Sequence, residues 1–478
     1  MNASALELAG MLAGCGAAAS AIVARDVRVR KAGVSVALVI APALVLGDVW
    51  HEERVVSFRD DPAVVGAALG ALALAVGAGA VLMRRLPVAF PILAVALLPL
   101  RVPVEIGGET ANLLIPLYVV IASGAIAWLF EPAGEGGPAE PRVTVWLRWA
   151  LGATLVLYAI QSAYSEDVSN AIENAGFFLI PFACLFVLLG EVRWSRQLLG
   201  YVLVAVGAMA TLFALVAIYQ YATRDLFLND ELFDSNQLHL YFRVNSLFFD
   251  PNVLGRYLAL AIVALAAYVA WDAAPGKLTL AVCAAGIALV GLALSFSLSS
   301  FAALLAGLGM VAILRWRWLG AIAAGSMGVV ALVVLLIAGG TPGSEIRGRD
   351  IDSGHSDLVE GGLELAEDRP LAGWGSGSFG AAFVQEIDES AEQIVSHAEP
   401  VTVAAEQGAL GLVAYLAMLG AALVTLLGAG PGGSVARSAV AACFVAMIVH
   451  SIAYAAFAID PATWTLLALG IAFRARAE

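Results

Sequence analysis

TPGSEIRGRDIDSGHSDLVEGGLELAEDRPLAGWGSGSFGAAFVQEIDESAEQIVSHAEPVTVAAEQGALG, residues 341–411, is the stretch whose reading decides the fold. Up to Pro400 it holds no long apolar run, and a membrane-type helix begins where it ends. Nearly everything on either side is apolar enough to sit in lipid, so substantial water-facing chemistry has room here. A second, shorter polar stretch, 225–252, ends in RVNSLFFDPN. The two loops are expected to meet over the membrane and form one site.

A chain of 478 residues that is 61% hydrophobic and 13% charged, with a mean hydropathy of +0.90, is not an ordinary soluble protein. Such domains carry about 25% charged residues. The expected fold class is an all-α polytopic membrane protein. The net charge is -13, and in a membrane protein the useful question is which side the charges occupy. Residues 340–400 alone hold thirteen acids against Arg347, Arg349 and Arg369. Cys15, Cys184, Cys283 and Cys443 all fall inside apolar runs, so no disulfide framework is implied.

A spanning helix needs about 20 apolar residues. Candidates lie near 5–24, 32–49, 63–83, 86–100, 112–130, 147–164, 170–190, 198–219, 253–271, 278–296, 299–314, 318–338, 401–427, 437–458 and 460–474. Three of these, 86–100, 299–314 and 460–474, are short enough to be partial or re-entrant, so about 12–15 crossings are expected. The first apolar stretch lacks a basic leader and reads as a retained span.

Lysine and arginine stay on the cytoplasmic side of short loops. Every second connection carries them, among them Arg25 to Lys31, Arg84 and Arg85, Arg142 and Arg148, Arg193 and Arg196, Lys277, Arg315 and Arg317, Arg437, and Arg474 and Arg476. The alternate short connections hold only Arg54, Arg59 and Arg101. Both long polar loops are thereby expected outside the cytoplasm, with the C-terminus inside. Five regions result. Residues 1–224 are N-terminal membrane helices, and 225–252 are an extracytoplasmic loop with Arg243. Residues 253–339 are central membrane helices, 340–400 the large extracytoplasmic loop, and 401–478 the C-terminal membrane helices.

Within the large loop, residues 356–368 place Leu358, Val359, Leu363 and Ala366 at helical spacing, and Pro370 stops the pattern. The next segment, GWGSGSFG at 373–380, reads either as a flexible hinge or as a turn whose amides line an anion. It lacks the ending of a P-loop. His397 precedes Pro400, a residue favoured at the first position of a helix, which sets the imidazole at a helix mouth where partial positive charge attracts phosphate. On residue type alone a lone loop histidine also fits having no role. Gly408 and Gly411 would allow close packing against a neighbour.

Arg243 is the second candidate. Asp250, Pro251 and Asn252 read as a turn capping the next helix, which leaves the arginine unexplained. Guanidinium binds phosphate with a planar fork of donors, and simple surface solvation is the alternative. Asp350 and Asp352 form a D-x-D pair of the kind metal-dependent sugar transferases use, in a stretch so acidic that chance also produces it. Ser295, Ser297, Ser299 and Ser300 form a polar seam that reads as helix packing or a chain reversal.

Taken together, these residues resemble the bacterial O-antigen ligases and the related O-antigen and exopolysaccharide polymerases. The matching features are an arginine before a DPN turn (Arg243 to Asn252), a serine-rich span start (Ser295 to Ala303), and a P-L-x-G-x-G-x-G-x-F segment from Pro370 to Phe379. A histidine-led signature with two glycines completes them, at His397, Gly408 and Gly411. The resemblance covers roughly residues 200–475. Ala398 stands where the family usually has asparagine, serine or glutamine. Ser300 and His355 stand where many relatives have arginine, and Arg347 and Arg349 lie close to His355 in sequence.

The resemblance implies a GT-C-like glycosyltransferase of the bacterial inner membrane that acts outside the cytoplasm. Its donor would be a polyprenyl-pyrophosphate-linked glycan and its acceptor a lipid or a glycan. It implies His397 as base, substrate binding by Arg243, Arg347, Arg349, His355 and Asn252, and neither a metal nor another cofactor. Nucleic acid is not an expected partner. A transporter of an organic anion or inorganic carbon is the reading from another class, and it calls for charged or unwound positions at mid-membrane depth.

Overall fold

The computed structural model describes residues 5–51, 55–56, 59–106, 109–132, 141–227, 232, 236, 241–271, 274–326, 328, 355–388, 398–428 and 434–474. Ten helices among them are long and apolar enough to cross a membrane, and two shorter apolar helices join them. The protein is polytopic and almost wholly helical.

The N-terminal part contributes α1 (Ala5–Val23), α2 (Val27–Asp48), α3 (Pro62–Arg85), α4 (Ala89–Ala96), α5 (Ile115–Leu129) and α6 (Arg142–Gln161). The helices α7 (Val168–Glu173) and α8 (Ile180–Glu191) are joined by a π-helical turn, Asn174–Leu179, into one apolar span. That span is central, with 78% of its apolar window buried in the bundle. The α3 window, 6% buried, lies at the periphery. Of the three short candidates, 299–314 becomes a full crossing helix, whereas 86–100 yields only the eight residues of α4. After α4 comes the one sheet among the described residues, an antiparallel hairpin of β1 (Val102–Ile106) and β2 (Glu109–Leu113) with Val102 paired to Leu113. Val102, Val104 and Ile106 alternate along β1, a strand-forming pattern inside an otherwise helical chain.

The second part comprises α9 (Arg196–Thr223), α10 (Pro251–Trp271), α11 (Pro275–Ser295) and α12 (Leu298–Trp316). Asp250 accepts hydrogen bonds from the amides of Asn252 (2.5 Å) and Val253 (3.3 Å), so α10 starts on a capped end with proline in its first turn. The serine seam is a reversal. Ser295 ends α11, Phe296 takes a left-handed conformation (φ 51°), and Ser297 caps α12 through the Ser300 amide.

Beyond the large loop lie α13 (His355–Asp368), α14 (Phe379–Glu386), α15 (Glu399–Leu427), α16 (Val435–Ser451) and α17 (Pro461–Arg474). One packed core unites α1, α2, α5, α6, α8, α15 and α17, and a second unites α9, α10, α11 and α12. The helix α16 belongs to both, giving Phe444 and Met447 to the first and Ala442 and Cys443 to the second. In α13 the anchor is Leu365, fully buried against Trp374, Phe379 and Phe383, while Leu363 is 50% exposed. Leu358 of the expected face packs on this cluster, whereas Leu363 turns outward, because Gly361 and Gly362 let α13 lie close against Phe383 and Val401.

Candidate functional site

The polar groups gather at one end of the bundle, where α10, α12, α15 and α17 begin and α11 and α16 finish. Arg243 lies on the irregular segment that leads into α10. Its backbone is held from both sides by Asn236, which accepts from the Arg243 amide and donates to its carbonyl, each at 2.9 Å. Its guanidinium donates through Nε to the Ser295 carbonyl (3.1 Å) and through Nη2 to Asn252 Oδ1 (3.2 Å). The predicted pair Arg243 and Asn252 is thus brought into contact. The fully buried Gln220 of α9 fixes the same approach, donating to the Ser246 carbonyl (2.9 Å) and accepting from its amide (2.7 Å).

Two further arginines converge here. Arg256, the sixth residue of α10, forms a buried ion pair with Asp460 and faces the Tyr454 ring at 5.8 Å. Arg101, between α4 and the hairpin, lies over Phe249 at 4.9 Å and donates to the Asn112 carbonyl (3.3 Å). Burial pushes the Arg101 pKa down from its usual range; Asp460 opposes this and Arg256 adds to it. Burial raises the Tyr454 hydroxyl well above the usual phenol range, with Asp250 adding to it and Arg256, Arg101 and Arg243 all opposing. Tyr454 therefore feels all three guanidinium groups. Asp250 is also pushed up by burial, against Arg243 and the two amides it caps.

From this cluster a cavity of about 2480 Å³ runs between α9, α10, α11, α16 and α17. Arg101, Arg256 and Asp460 line one end, and Arg196, Lys277 and Arg437 the other. Between them the walls are apolar, as at Leu260, Ala264 and Leu466. An apolar channel ending in planar guanidinium forks suits an amphiphile with a phosphate-type head.

The glycine-rich segment is neither a hinge nor an open anion site. Its own anion is Glu406, whose carboxylate accepts from the amides of Gly377 (2.8 Å) and Phe379 (3.2 Å). The helix α15 breaks at Gly408 (φ 61°, ψ -160°), which frees the carbonyls of Ala405 and Glu406 to accept from Trp374 (3.0 Å) and Gly375 (2.8 Å). A side chain on Gly408 would meet the backbone of Leu371 and Ala372 at 2.5–2.6 Å, so its close packing is against this segment. Ser165 and Asn170 donate to the segment's carbonyls at Ser376 and Gly377, and Gln161 and Tyr164 to the Ala372 carbonyl just before it.

His397, Arg347, Arg349 and the D-x-D pair lie outside the described residues. His355 opens α13, and only its backbone is described. The helix that follows His397 is tied down: Glu399 is buried and accepts from the amides of Phe457 (3.0 Å) and Ala458 (3.4 Å), just before Asp460. The sequence reading missed Arg101, Arg256, Tyr454 and His450. The available signal was an ionisable residue inside an apolar run, which at Arg256 is unmistakable. Arg256 lies about 8 Å into α10 and Glu406 about 10 Å into α15 at 1.5 Å per residue, so these charges sit towards one end rather than at the midplane a transporter would use.

Among curated proteins none matches the chain. Residues 283–416 of the 478 are similar to the family model described as O-antigen ligase, and the ten long apolar helices make the chain a multi-pass membrane protein.

Proposed function

We propose that the protein transfers a glycan from a polyprenyl-pyrophosphate donor to an acceptor hydroxyl on the extracytoplasmic side of the bacterial inner membrane. The observation that carries this reading is that Arg101 and Arg256 line one end of a long apolar cavity, with Arg243 held in the adjoining turn by Ser295 and Asn252, a shape matched to a pyrophosphate with a polyprenyl tail. The helix ends opposite the cluster carry the basic residues, including Arg84, Arg142, Arg196, Lys277, Arg315 and Arg437. By the positive-inside preference this turns the cluster outward.

In the reaction the acceptor oxygen attacks the anomeric carbon as the bond to the phosphate oxygen breaks. The new glycosidic bond forms with inversion, polyprenyl pyrophosphate leaves, and His397 takes the acceptor proton. Arg243, oriented by Ser295 and Asn252, binds the departing pyrophosphate. His355, Arg347 and Arg349 of the large loop assist it, and the arginines supply the positive charge that a divalent ion would otherwise bring. The acceptor is a lipid or a growing glycan.

Purified protein incubated with a polyprenyl-pyrophosphate glycan tests this. Lipid pyrophosphate should be released when an acceptor is added. Folded protein that releases none with lipid or glycan acceptors would refute the reading.

A further inference from the structure

His450 is a buried imidazole to which the reaction above gives no part. It is the second-last residue of α16 and fully buried. Its Nε2 lies 3.2 Å from Ser300 Oγ and 3.3 Å from Ser299 Oγ. Ser300 directs its hydroxyl at the Asn252 carbonyl (3.3 Å). A hydroxyl has one proton to give, and when Ser300 gives it to that carbonyl the ring is the donor of the pair, through Nε2–H. The ring's Nδ1 has no hydrogen-bond partner among the described residues.

The serines that His450 touches lead to Arg243. Ser297 Oγ lies 2.8 Å from Ser300 Oγ and 3.1 Å from Ser299 Oγ, closing the turn at the start of α12. One side of the Arg243 guanidinium is held by the carbonyl of Ser295, in the same reversal. The other is held by the side chain of Asn252, whose own carbonyl is the acceptor for Ser300. Both atoms that aim the guanidinium thus belong to the structure His450 braces. The turn has little room to slide towards α10, because a Cβ on Gly255 would fall 2.5 Å from Ser300 Oγ.

We propose that His450 is a positioning residue for the anion site: hydrogen-bonded to Ser299 and Ser300, it fixes the serine turn and Asn252 and through them the Arg243 guanidinium. This rests on Arg243 binding the donor pyrophosphate. His450 itself does not touch substrate. A planar fork grips phosphate only when its angle is held, and a misplacement of about 1 Å can lower a rate by about 10²-fold. A histidine that merely fills space and one that aims Arg243 differ in one respect. Only the second loses its effect when Arg243 is gone.

The test is a double-mutant cycle on steady-state glycan transfer, with donor KM and kcat read separately. His450→Phe keeps a ring of similar size and removes the N–H. It should raise the donor KM and lower kcat/KM by about 10- to 100-fold, and His450→Gln, whose amide can donate to Ser300, should recover most of the loss. In an Arg243→Ala background His450→Phe should cost nothing further. Equal losses in both backgrounds, or a glutamine variant as poor as the phenylalanine one, would overturn the inference alone. An Arg243→Ala protein with parental activity would overturn it together with the reading on which it rests. If His450→Phe fails to give folded protein, Ser300→Ala enters the same cycle with the same opposing outcomes, since it removes the acceptor of the ring.

Discussion

Two regions of this protein present hydrogen-bond donors to an anion, and they differ in whether the fold has already supplied one. In the glycine-rich segment the amides of Gly377 and Phe379 are taken by Glu406, and those of Trp374 and Gly375 by carbonyls that the Gly408 break exposes. Around Tyr454, among the described residues, Arg243 gives its guanidinium to neutral oxygens and Arg101 to a carbonyl, and Arg256 alone is spent on a carboxylate, Asp460. The first region is a joint that locks a loop to a membrane helix. The second borders the end of a cavity, through Arg101 and Arg256, and has charge to offer. Donors signal a binding site only after their internal acceptors have been counted.

The largest effect should come from the proposed base, His397. Removing the acceptor proton as the bond forms is worth about 10² to 10⁴ in rate, so His397→Ala should abolish measurable transfer while donor binding persists. His397→Gln should be almost as inactive. If His397→Gln transfers at close to the parental rate, the base must be sought among the acids, and Glu399 and Glu406 are then the first to test.

Arg243→Lys comes next. Lysine keeps the charge but cannot bridge to Ser295 and Asn252 while forking a phosphate. It should be nearly as harmful as Arg243→Ala, with a loss of about 10- to 100-fold in kcat/KM, the range of one or two charge-assisted hydrogen bonds. A fully active lysine variant would reduce the arginine region to a diffuse positive field.

Glu406→Gln probes the other side of the comparison. The amide replaces one accepting oxygen with a donor that faces the Gly377 or Phe379 amide, at a cost in stability of about 1–3 kcal/mol. A lower Tm with unchanged donor KM is expected. A donor KM that rises while Tm holds would mean that the glycine-rich segment contacts substrate after all. The smallest effect expected is none: chelator should leave transfer intact, and loss restored by magnesium would move the phosphate site to Asp350 and Asp352.

Local pattern made the membrane helices legible. Most described spans lie within a few residues of the apolar runs, because hydropathy and helix length are properties of contiguous sequence. Arg243 and Asn252 were legible for the same reason, being nine positions apart in one motif. Arg101, Arg256 and His450 were not. Their meeting depends on helix packing across more than a hundred residues, and nothing in the sequence around Arg101 points to Tyr454. The break at Gly408 was hidden as well, since a glycine in an apolar run looks the same whether it serves close packing or a left-handed backbone. In α13, Leu363 fitted the helical period, but the paired glycines, which have no hydropathy signal, decided which face turned inward.

The most direct test of the arginine cluster as a lipid pyrophosphate site is binding without chemistry. Radiolabelled polyprenyl pyrophosphate carrying no glycan can be titrated onto the protein in lipid nanodiscs, with parental, Arg243→Ala, Arg101→Gln and Glu406→Gln chains compared. The parental and Glu406→Gln proteins should bind alike. Each arginine variant should bind about 10- to 100-fold more weakly, as expected when a charge-assisted contact to phosphate is lost. Binding that is the same in all four proteins would contradict the account.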